Sequence, residues 1–93
     1  MELNRELLLF ILQTVNLHKT NQLSLEQLQN LTVNQFSDVS EEVFIFHFEH
    51  LTDKCYLSYH NTLKNNERYI YELGLTFYGS AALNQHVSNN QFN

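Results

Sequence analysis

The chain has 93 residues, enough for one small domain with a thin core, and its 5 Lys and Arg against 10 Asp and Glu leave a net charge of −5. Seven Phe, five Tyr and a 43% apolar content mark a folded chain and exclude a disordered one. The acidic balance argues against nonspecific binding to nucleic acid or anionic membrane, and Cys55, the single cysteine, excludes an internal disulfide and fits a reducing cytosol.

Residues 2–17 predict a first helix. Leu3, Leu7, Ile11 and Val15 recur at i, i+4 spacing, with Glu2 and Glu6 near the N-terminal end of the helix dipole. The apolar run 7–12 is too short to span a bilayer, and acids flank it where a signal peptide carries basic residues. Residues 18–22 form a polar connection. Ser24, with Gln27 three residues on, predicts a capped second helix presenting Leu25, Leu28 and Leu31. Residues 32–37 read as a turn region with Val33 and Phe36 tucked inward.

Asp38 or Ser40 then caps a third helix reaching about Lys54. At 100° per residue, Val43, Phe44, His47, His50 and Leu51 share an inward face. Asp38, Glu41, Glu42, Ile45, Glu49, Thr52 and Asp53 lie opposite. The β-branched and aromatic run 43–48 also suits a strand, but the polar flanks recur at helical spacing.

After Lys54 the period changes to two. Residues 56–63 and 67–73 alternate around Lys64-Asn65-Asn66, which predicts a hairpin. Thr76 opens a last helix to about His86, with Phe77, Ala81, Ala82 and Leu83 facing inward and Gly79 and Ala82 permitting close packing. The domain is expected over residues 1–87, followed by a flexible polar tail over 88–93. The predicted class is mainly α with a small β-hairpin. Its helix, helix, helix, hairpin, helix order is that of a winged helix-turn-helix with an extra C-terminal helix.

Two stretches resemble small winged-helix proteins of phage and prophage origin, a family of largely unassigned function. Phe46-His47-Phe48-Glu49-His50-Leu51, followed by Cys55-Tyr56-Leu57, is similar to a His-x-x-x-Leu helix end turning into a strand. Leu75-Thr76-Phe77-Tyr78-Gly79-Ser80-Ala81-Ala82-Leu83 is similar to a Leu-Thr-aromatic-x-Gly-x-x-x-Leu helix. Two positions depart from the pattern: Cys55 stands where the family usually has glycine, and Ala82 where it commonly has a bulkier apolar residue. The resemblance implies a winged-helix fold in a bacterial host cytoplasm and brings no catalytic residue.

In that fold the third helix is the recognition element, yet here it carries Asp38, Glu41, Glu42, Glu49 and Asp53 and no Lys or Arg before Lys54. A helix entering a DNA groove meets about one phosphate charge per 1.7 Å of duplex. The acidic face, with Ile45 as an apolar anchor, therefore predicts a basic protein surface, host or phage, as partner. Inhibition of a nucleic-acid-handling or bacterial defence complex, in the manner of an anti-CRISPR protein, is one form of this. The alternative is a winged-helix DNA-binding regulator using Lys64, Asn65, Asn66 and Arg68 of the hairpin.

Other chemistry is poorly supported. His47 and His50, three apart on a helix, have the spacing of a metal pair but face inward without a third ligand, so packing is expected and no metal. Cys55 has no base or oxyanion donor in view, and no phosphate-binding glycine loop occurs, so the chain reads as non-enzymatic and without cofactor. Leu9, Phe10 and Leu12 of the first helix, with Tyr78 of the last, suggest a homodimer contact.

Overall fold

The computed structural model describes the backbone of residues 2–92 and the side chains of residues 2–85. The elements follow in the order α1 (Arg5–Leu17), α2 (Leu25–Gln35), α3 (Glu41–Asp53), β1 (Leu57–Lys64), β2 (Glu67–Leu75) and α4 (Phe77–Phe92). They make a small α+β domain of four helices and one antiparallel hairpin. The run 43–48 is helical. The expected flexible tail falls on side chains outside the described residues, while α4 runs past His86 to Phe92.

Short polar side chains set the helix starts. Ser24 and Gln27 close a reciprocal capping box at α2, and Ser40, not Asp38, accepts from the Val43 N–H at α3. Thr76 accepts from the Gly79 N–H at α4 while its own hydroxyl donates to the Cys55 carbonyl. At α1 the cap is Asn4, whose Oδ1 accepts from the N–H groups of Glu6 and Leu7. The helix therefore begins at Arg5, and Leu3 lies before the cap, 45% exposed and outside the apolar stripe expected for it.

α1 packs on α2, α3, α4 and β2 and centres the core. Leu7, Ile11 and Val15 from α1, Leu28 from α2, Phe44 and Leu51 from α3 and Leu73 from β2 are almost fully buried together. α2 continues through residues 32–35, which the sequence suggested as a turn. Thr32 is fully buried and returns its hydroxyl to the Leu28 carbonyl, so its polar group is satisfied within the helix. Leu31, expected on the apolar side, is 38% exposed.

The hairpin turn is built on Asn65 and Asn66, at φ 53° and 67°. Two successive positive φ values are what a two-residue type I′ connection requires, and asparagine tolerates them better than most residues. Nearer the base of the hairpin the register slips, because Ser58 pairs with Gly74 but His60 pairs with Tyr71. Two residues of β2 thus oppose Tyr59 alone, and Glu72 absorbs the bulge at φ 53°. Beyond the bulge, Leu73 turns into the core and donates its N–H to the Leu23 carbonyl, tying the α1–α2 connection to the sheet.

α3 ends in a complete Schellman motif. The Tyr56 N–H reaches the Leu51 carbonyl at 3.0 Å and the Cys55 N–H reaches the Thr52 carbonyl at 2.9 Å. Cys55 occupies the left-handed position, φ 62°, which explains why glycine suits it. A side chain there costs roughly 1–2 kcal/mol, partly offset by the unfolded-chain freedom that glycine adds. Cys55→Gly is therefore expected to stabilise the protein by about 0.5 kcal/mol in urea melts, whereas Cys55→Val should destabilise it.

Candidate functional site

The acids of α3 do not form one surface. Glu41, Glu42 and Glu49 come together around Ile45 and Phe46, lining a shallow open depression. Asp38 precedes the helix and Asp53 closes it, and neither reaches the depression. All five carboxylates are exposed, and among the described residues none pairs with a lysine, arginine or histidine. Phe46 was not assigned to this face from sequence. Its signal was its spacing, four residues after Glu42 and three before Glu49. Ile45 is half-buried and also packs against the core, so it is fixed in place as well as presented.

Helix stability accounts for only part of this charge. Glu41 and Glu42 occupy the first turn, where the positive end of the dipole favours them. Asp53 occupies the last turn, where the dipole opposes a carboxylate, and Glu49 stands four residues before it as a like charge. Neither of these two carboxylates therefore stabilises the helix.

A second groove separates α3 from the hairpin and shares Glu41 and Ile45 with the first depression. Its hairpin wall carries Lys64, Asn65, Arg68 and Ile70, and Glu26, Glu41 and Glu67 also line it. The cations proposed for DNA contact thus sit in a groove with three carboxylates. Lys64 additionally lies 4.5 Å from the Tyr69 ring centre. Asn65 and Asn66 are exposed but are already required by the turn.

On the inward side, His47 is fully buried and both its ring nitrogens are occupied. Nδ1 donates to the Val43 carbonyl at 2.7 Å, and Nε2 accepts the Asn4 N–H at 2.8 Å. Only the neutral ring protonated at Nδ1 fills both roles, which leaves no lone pair for a metal. His50 is half-buried, and its face borders an apolar groove lined by Arg5, Leu8, Leu9, Leu12, Leu51, Tyr56 and Ala82. The small Ala82 side chain lies at this groove.

The residues suggested for a dimer are divided by the fold. Leu12 belongs to the core at 6% exposure, Leu9 packs against it, and Phe10 meets Phe36 edge-on at 5.2 Å. Tyr78 is 64% exposed, and its neighbour Phe77, expected inward, is 82% exposed. Ala81 is also exposed rather than inward. The reason is Gly79: a Cβ there would lie 2.0 Å from the Tyr56 carbonyl oxygen, so Gly79 and Leu83 set the inner face of α4 and turn Phe77 outward.

Among the described residues, no group of three or more His, Cys, Asp or Glu is placed to hold a metal ion, and no helix is long and apolar enough to cross a membrane. No protein-family model and no curated protein matches the chain.

Proposed function

We propose that this is a small, non-enzymatic, phage-type winged-helix protein that binds a basic protein surface through α3. The observation that carries this reading is the exposed set Glu41, Glu42 and Glu49, none of them within ion-pair distance of a lysine, arginine or histidine among the described residues, around the exposed part of Ile45 and Phe46. Carboxylates supply long-range attraction and register toward a cationic surface, and the apolar pair supplies short-range contact. A protein that covers the cationic groove of a nucleic-acid-handling or defence complex inhibits it by occlusion, which needs no catalytic group. The winged-helix reading is supported by the element order and by the single Leu73 N–H to Leu23 carbonyl bond, which holds the α1–α2 connection beside the hairpin.

Association through such a face is fast and weakens with salt. The reading also predicts poor affinity for DNA, since the hairpin cations share their groove with Glu26, Glu41 and Glu67. Purified protein mixed with duplex DNA at low salt is expected to leave the duplex unretarded at micromolar protein. A retarded band at micromolar or tighter affinity would overturn the protein-binding reading in favour of a DNA-binding regulator.

A further inference from the structure

We infer that the depression on α3 receives a basic amphipathic helix of the partner, with an apolar residue seated against Ile45 and Phe46 and cations placed over Glu41, Glu42 and Glu49. This rests on the protein-binding reading and extends it to the secondary structure and chemistry of the bound segment.

Backbone chemistry makes the first argument. A strand-like segment binds tightly when it adds main-chain hydrogen bonds to an open sheet edge. The depression is lined by side chains of a single helix, and beyond its first turn the N–H groups of that helix are spent within it. Affinity here must come from side chains, which an amphipathic helix projects in a stripe of matching pitch.

Spacing makes the second. Glu41 and Glu49 are separated by about 12 Å along α3, at about 1.5 Å per residue, with the apolar pair midway between them. A partner helix lying along α3 places cations two turns apart and one apolar residue between them over the same length. The shallow, open form of the depression suits a helix laid on its side.

The charge pattern also specifies what is rejected. An acidic helix meets three carboxylates, and a purely cationic segment leaves the apolar pair in water. The preferred ligand therefore needs both cations and apolar anchors at helical spacing.

Three labelled peptides of about 14 residues, roughly 21 Å when helical, test this with the full-length protein by fluorescence anisotropy. The first is a Leu/Lys peptide with leucines at helical spacing. The second has the same composition in strict alternation, and the third is oligolysine. The helical-period peptide is expected to bind at least about ten-fold tighter than either control at about 50 mM salt. The exposed-face variant E41Q/E42Q/E49Q, with circular dichroism confirming its fold, should lose about ten-fold or more of that affinity, and Phe46→Ser should weaken it independently. Equal binding of all three peptides, tighter binding of the alternating one, or unchanged binding by the charge-neutral variant overturns the helix-receiving site. The first two outcomes leave a cation-binding face intact. Failure of every cationic peptide to bind overturns the protein-binding reading as well.

Discussion

Gly79→Ala is expected to destabilise the protein by about 3 kcal/mol, although the same change in an unconstrained helix interior gains roughly 1 kcal/mol. The sign is decided by a backbone atom. The added Cβ would fall 2.0 Å from the carbonyl oxygen of Tyr56 and 2.9 Å from its carbonyl carbon. Tyr56 cannot retreat cheaply, because its N–H completes the Schellman motif and its carbonyl accepts the Thr76 N–H that starts α4. The helix must lift instead, exposing Leu83 and loosening its seat on α1 and β2. Thermal or urea unfolding measures the loss. Ser80→Ala, one residue on and exposed, should stay within about 0.5 kcal/mol of the parent.

His47→Ala is expected to cost about 3 kcal/mol or more, from the cavity left by a fully buried ring and from the orphaned Asn4 N–H. Asn4 is also the cap of α1, so the ring joins the start of the central helix to the middle of α3. His47→Leu separates the two effects. It restores most of the volume but leaves the Asn4 donor without its acceptor, and a residual loss of about 1–2 kcal/mol is expected. If His47→Leu matches the parent in urea unfolding, the hydrogen bond contributes nothing and the ring acts by packing alone.

These two sites show where local chemistry sufficed and where it did not. Ser24, Ser40, Thr76 and the Asn65–Asn66 turn were legible because each acts on backbone groups within a few residues of itself. Gly79 was recognisable as a close-packing position, but its neighbour, the carbonyl of Tyr56, is 23 residues earlier and comes near only after the hairpin closes. That contact sets the phase of α4 and reverses the inward orientation expected of Phe77 and Ala81. Asn4 was hidden by the favourable helix formers around it, and its anchor on His47 spans 43 residues. The bulge at Glu72 carries no glycine to announce it.

The candidate site was legible in charge and incomplete in shape. Helical phase correctly separated the acids from the buried residues of α3, and it placed Ile45 among them. Asp38 and Asp53 stand apart because one precedes α3 and the other ends it, whereas the place of Phe46 was present in its helical spacing and was passed over. Lys64 and Arg68 read as a basic edge in one dimension, whereas the folded hairpin brings them into a groove with carboxylates from two helices.

Side-by-side capture from a bacterial lysate, with the parent and E41K/E42K/E49K as baits at low and high salt, tests the acidic face most directly. The account predicts that the parent enriches a protein with a basic surface and that the reversed variant, equally folded, recovers about ten-fold less or none, as does the parent at high salt. Equal recovery of the same partner by both baits would contradict the assignment of α3 as the binding surface.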